Sequence, residues 1–180
     1  MISRKIVYLY LLLSLFMSTQ AISATKEEID ADVKAALAEF YEKSEAGKIL
    51  AEKASGVLVF PKVIAAGIGV GGEYGEGALL IDGRPVEYYS IASASVGFQL
   101  GAQQKSEIIM FMKDDALTKF RESNGWEAGV DGSIALVEIG AGSEISTNTA
   151  KQPIIGFIFS NKGLMYNLTL EGSKMTKIVR

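Results

Sequence analysis

Residues 56–80 read G-V-L-V-F-P-K-V-I-A-A-G-I-G-V-G-G-E-Y-G-E-G-A-L-L. An apolar run from Val57 to Phe60 is broken by Pro61, and glycine then recurs at Gly67, Gly69, Gly71, Gly72, Gly75 and Gly77. Gly67, Gly69 and Gly72 satisfy G-x-G-x-x-G, but a dinucleotide site needs a helix directly after that fingerprint. Here Glu73-Tyr74-Gly75-Glu76-Gly77 follows, which is too rich in glycine for a helix. The stretch reads as extended chain closed by Asp82-Gly83, a strong two-residue hairpin signal. Alternate glycines in a strand leave room on one face for a bulky neighbour, a sharp bend or a ligand. Gly69 and Gly71 share such a face, which other parts of the chain are expected to approach closely.

Around this stretch the pattern is of short strands. Val86 to Ala92 is one. Val96, Phe98 and Leu100 alternate with Gly97, Gln99 and Gly101, one face buried and one open. Glu107 to Met112 and Val130 to Ile139 are further strands. Ile154 to Phe159 and Leu164 to Leu170 read as a hairpin across Asn161-Lys162-Gly163, and Met175 to Val179 as the last strand. Gly140 to Thr149 is small and polar and reads as a loop.

The helices lie mostly before the sheet. Thr25-Lys26-Glu27-Glu28 fits a capping box. It predicts a helix to about Glu42 with Ile29, Val33, Ala36, Leu37, Phe40 and Tyr41 on one face, packed on the core. Ser44 caps a second helix over about Glu45 to Ala54, with Ala46, Ile49 and Leu50 inward and Gly56 just past its end. Asp114-Asp115 opens a third, short helix to Glu122. The fold class is therefore α+β and mainly antiparallel. A curled or closed, barrel-like, glycine-rich sheet is expected, with two N-terminal helices and one short inserted helix.

The chain has 180 residues, 48% of them hydrophobic and 22% charged, which suits one folded domain. Arg4 and Lys5, the apolar run Ile6 to Phe16 and the small residues Ala21, Ser23 and Ala24 read as a secretory leader. Residues 1–24 are assigned to it, with cleavage near Ala21 or Ala24 and an uncleaved anchor as the lesser alternative, and residues 25–180 to the domain. Formal net charge is −3 for the whole chain and more negative once Arg4 and Lys5 are removed. A mildly acidic chain without a basic patch is a poor nucleic-acid binder. There is no cysteine and no histidine. That excludes Ser-His-Asp and Cys-His catalysis, thiolate or imidazole zinc sites and haem held by either residue. No acidic loop of the calcium-binding kind is present. Neither cofactor nor metal is expected.

The quoted stretch also resembles a known family. G-V-L-V-F-P-K-V followed by G-x-G-V-G-G-E-Y-G-E-G is similar to the core signature of the SYLF family of lipid-binding proteins. The likeness continues through Tyr88-Tyr89-Ser90-Ile91, Ala94 to Gln103, Phe111-Met112, Ala116 to Phe120 and Gly125 to Gly132, and covers most of residues 46–180. Fungal and animal members include regulators of actin assembly. The resemblance implies lipid binding without catalysis.

Three functional classes follow. The first is an exported, periplasmic or secreted protein that binds phospholipid headgroups at a membrane surface. Its candidate contacts are Lys48, Lys53, Lys62 and Arg84, which can meet phosphates, and Tyr88 and Tyr89, amphipathic aromatics of the kind found at membrane interfaces. Tyr74 and Trp126 belong to the same aromatic set, though Trp126 equally suits a core. The second is an envelope structural protein whose sheet edge pairs with a protein partner. The third is a hydrolase using Glu73, Glu76, Asp82 and Glu87, or Ser93 and Ser95 near Lys105. Solvated charges on strands and turns are the commoner meaning of such carboxylates, so the first class is preferred.

Overall fold

The computed structural model describes residues 23–139, 145–163 and 169–180. The leader, residues 140–144 of the expected loop and residues 164–168 of the expected strand lie outside these. So do the faces taken by Gly69, Val96, Phe98 and Leu100.

Helix α1 (Lys26–Lys43) starts at the capping box. Thr25 Oγ1 accepts from the Glu28 amide at 3.2 Å, and the Glu28 carboxylate accepts from the Thr25 amide at 2.8 Å. Ile29, Val33, Ala36 and Phe40 are buried, and Leu37 and Tyr41 are half-buried. Ser44 Oγ accepts from the Gly47 amide at 3.0 Å and opens α2 (Glu45–Ala51), which is shorter than expected. Gly47 and Leu50 form its inner side, whereas Ala46 and Ile49 face solvent. The Phe40 ring sits so close to Gly47 that no larger residue fits, which fixes the face α2 presents. Gly56 is not a helix cap. It begins the first strand, packed against Leu117.

Strands β1 (Gly56–Ile81) and β2 (Arg84–Phe111) form one long antiparallel hairpin. Asp82 and Gly83 have φ of 50° and 71°, the left-handed pair a two-residue hairpin turn requires. Pro61 does not end its strand. A bulge between Phe60 and Val63 takes up the proline, and the ladder resumes. The free edge of β2 is shared by two partners. β6 (Lys174–Ile178) pairs near its start and β5 (Ile154–Gly163) near its end. β3 (Trp126–Glu127) extends β6, and β4 (Ala135–Glu138) runs parallel to β5. The result is a six-stranded, mostly antiparallel sheet that curls, with helix α3 (Asp114–Glu122) inserted after β2.

Two expected elements differ. Val130 to Ile139 is a strand only at Ala135–Glu138, because Gly129, at φ 86°, and Asp131 hold residues 127–132 in a turn. Asn161-Lys162-Gly163 is not a hairpin turn. A bulge at Ser160, φ 54°, lets β5 continue, and Lys162 and Gly163 pair with Gln104 and Gln103.

The curl has a local cause. A Cβ on Gly67 would clash with the Cα of Gly71, although a straight strand puts four rises of about 3.3 Å between them. The hairpin thus folds sharply over at 67–71, where the register also slips between Ile68 and Val70. Beyond the fold, β1 crosses its own first half. A Cβ on Gly75 would lie 2.8 Å from the Lys62 carbonyl oxygen, and one on Gly77 would overlap the Val59 carbonyl. The inner face packs Leu58, Phe60, Leu79, Ile91, Ile109 and Phe111 against Leu117, Phe120 and Trp126. The outer face packs Val59, Ala78, Ile108, Met110 and Phe157 beneath α1.

Candidate functional site

Helix α1 covers the outer face of the hairpin only near its open end. From Lys62 to Tyr74 the outward residues of β1 are Lys62, Ile64, Ala66, Ile68, Val70, Gly72 and Tyr74, and all are exposed. Strict alternation puts Val63, Ala65 and Gly75 inside. The facing residues on β2 are small or uncharged: Ala92, Ala94, Ala102 and Gln104 pair with Tyr74, Gly72, Ala66 and Ile64. Because the fold closes on the side of Gly67 and Gly71, this row lies on the convex side. Ile68 is 81% and Val70 67% exposed at the apex. Two lysines stand at its base. Lys62 begins the row, and Lys162 joins it laterally through the pairing of Ile64 with Gln104 and Gln104 with Lys162. Both are exposed. On the far limb Glu76 is held by Arg180 at 2.6 Å and by Tyr74 Oη at 2.7 Å, so its charge is answered locally.

Directly beneath the fold, the inner face is polar. Lys105 Nζ lies 2.9 Å from Glu73 and 2.8 Å from Glu107, and Lys105 and Glu107 are almost wholly buried. Ser173 Oγ donates to Glu73 at 3.0 Å. Burial pushes the Glu107 carboxyl up to about 7, against the pull of Lys105. Burial also works against the Lys105 ammonium, but the two carboxylates outweigh it and raise its pKa. The cluster ties the later half of β1 to β2 across the fold. Ser173, whose hydroxyl donates to Glu73, is itself buried. The carboxylates of the hydrolase reading are separately engaged. Glu73 is paired inside, Glu76 holds Arg180, and Glu87 binds Arg121 and Lys177 on the surface. Asp82 sits on the turn.

The sequence-derived lipid contacts do not converge. Lys48 and Lys53 are exposed on and after α2, and Arg84 is exposed beside the Asp82-Gly83 turn, at the opposite end of the hairpin from Lys62. Tyr88 and Tyr89 are buried on opposite faces. Tyr88 Oη donates to Asp30 and Tyr89 Oη to Glu87, each at 2.8 Å, so both hydroxyls are satisfied within the protein. Trp126 is in the core. The geometry adds Ile68, Val70 and Lys162 to the exposed candidates, beyond those read from the sequence. Ile68 and Val70 stood in the quoted stretch, where alternation with glycine signals that one face is bare, but which face is outermost depends on the fold at 67–71. Asn161-Lys162-Gly163 reads as a turn in the sequence, which hides Lys162 from the strand pattern.

A family model described as Ysc84, Las17-binding protein actin regulator, matches residues 92–178. No curated protein matches the chain. The matched span runs from the returning limb of the folded hairpin, with Lys105 and Glu107, through α3 to the end of β6. Over these residues the match agrees with the SYLF resemblance read from the sequence.

Proposed function

We propose that this is an exported, non-catalytic protein that binds phospholipid membranes peripherally, through the convex tip of its folded hairpin. The observation that carries the reading is the exposed row Ile64, Ala66, Ile68, Val70 and Tyr74 with Lys62 and Lys162 at its base. Fully burying an isoleucine or valine side chain stabilises by about 1.5–3 kcal/mol. Several on one convex edge supply enough for reversible attachment. Tyr74, half exposed with its hydroxyl on Glu76, suits the headgroup level, where amphipathic rings collect. The two lysines add attraction to anionic headgroups, which the acidic chain as a whole does not. Export rests on the leader-like start of the sequence. The SYLF family is related to lipid and actin binding, which supports a membrane-associated role.

The test is cosedimentation of the protein with vesicles of zwitterionic lipid, with and without anionic lipid. Binding that is lost in the doubly substituted Ile68→Asp, Val70→Asp protein supports the reading. Unchanged binding in that protein, or none in the unsubstituted one, overturns it. Retention of a protein partner by a variant-sensitive tip, without lipid, would favour the envelope-partner class.

A further inference from the structure

At the opposite end of the hairpin a groove of about 780 Å³ lies between the two N-terminal helices and the Asp82-Gly83 turn. Its apolar lining includes Val33 and Leu37 of α1, Val57 and Leu80 of the hairpin, and the half-buried ring of Tyr41. The charged lining is unbalanced. Asp30, Glu52 and Asp82 contribute carboxylates, against the single ammonium of Lys34. None of the four forms an ion pair with another described residue. Glu52 lies close enough to Tyr41 for its charge, after burial, to help raise the phenol pKa. A concave apolar surface with a few convergent polar groups is the usual form of a small-ligand site. Carboxylates beside an aromatic ring are the usual recognition chemistry for an organic cation.

We propose that this groove binds a single-chain amphiphile with a positively charged head, its alkyl chain against Leu37, Val57 and Leu80 and its cation between Glu52, Asp82 and the Tyr41 ring. An anionic head would meet net negative charge. The inference goes beyond membrane attachment, because the groove and the convex tip are at opposite ends of the hairpin.

Isothermal titration with dodecyltrimethylammonium, below its micelle concentration, tests this. Dodecyl sulfate and dodecyl maltoside serve as probes of the same chain length, with circular dichroism to follow folding. The expected result is saturable one-to-one binding of the cation, weaker binding of the maltoside and weakest of the sulfate. Ala38 is exposed on the groove wall, so Ala38→Trp should occlude the groove without disturbing the core and should abolish binding. Glu52→Gln and Asp82→Asn should each weaken the cation about two- to fivefold and leave the maltoside unchanged. Asn suits the left-handed turn position as well as Asp does. The Ile68→Asp, Val70→Asp protein should bind the cation normally even if it no longer binds vesicles. Equal affinity for the sulfate, no saturable binding of the cation, or full binding in the Ala38→Trp protein would overturn the proposal.

Discussion

Gly77 lies against the main-chain carbonyl of Val59, so close that any side-chain carbon at 77 would overlap the oxygen. This contact is where β1 crosses itself, and the obstacle is backbone that cannot rotate away. Gly77→Ala should therefore destabilise by about 3 kcal/mol, the upper part of the range for overpacking, or prevent folding. Gly72 is the contrasting case. It is on the convex side, and a Cβ there meets only the Ser93 carbonyl, at 3.2 Å. Gly72→Ala should cost less than about 1 kcal/mol, as exposed substitutions usually do. Urea denaturation midpoints measure both. Equal losses at the two positions would mean that the alternation of faces along β1 is not what the glycines serve.

The buried Glu73–Lys105–Glu107 cluster gives the fold an unusual dependence on pH. Burial raises the Glu107 carboxyl to about 7, whereas an unfolded chain releases that proton near its ordinary 4.5. The folded state thus holds more protons between these values. The contribution of Glu107 is fully present below about pH 4.5 and is lost as pH rises through about 7. Glu107→Gln should remove that decline, leaving a flatter stability profile from pH 4.5 to 7.5 by denaturant titration. A decline of unchanged size in the Gln protein would place its origin elsewhere.

Glu87 has the opposite sign. Burial pulls its carboxyl upward, but hydrogen bonds from Arg121, Lys177 and Tyr89 bring it down to about 2. Its contribution is present above about pH 4.5 and fades as pH falls toward 2. Because the network is partly exposed, the effect should be modest and reduced by salt. Glu87→Gln should lower the thermal midpoint at pH 6 by more than at pH 2.5. An equal drop at both would show that packing, not charge, was lost.

Much of this fold is written in short-range signals. The capping box at Thr25, the Asp82-Gly83 turn and the apolar stripe of α1 are each set by neighbours a few residues away, and each stands where the sequence places it. The errors share a different cause. Pro61 and Asn161-Lys162-Gly163 are local breakers, yet long ladders to β2 carry the strands past them through bulges. Tyr88 and Tyr89 are adjacent, so in a strand they point to opposite faces, and both faces here are covered, one by α1 and one by α3. An amphipathic side chain alone does not reveal that. Alternating glycines signal close approach, and at Gly67, Gly75 and Gly77 the approaching chain is β1 itself, which no short-range signal reveals.

Charge and apolar insertion are separable at the convex tip. Lys62 and Lys162 flank the base of the apolar row, whereas Arg84 stands at the other end of the hairpin beside the turn. A basic residue near an anionic surface contributes roughly 1 kcal/mol, about fivefold in affinity. Beyond the screening length of about 8–10 Å, that contribution disappears. Lys62→Glu and Lys162→Glu should each weaken binding to vesicles containing anionic lipid by at least that factor, the pair more than either alone. The deficit should shrink as salt is raised. Arg84→Glu should change binding little, as should Lys48→Glu and Lys53→Glu on and beside α2. On purely zwitterionic vesicles the lysine variants should match the unsubstituted protein, since only the apolar row acts there. Circular dichroism controls for folding. If Arg84→Glu is the damaging change and the two lysine reversals are silent, the membrane lies against the turn end, and the convex tip is free for another partner.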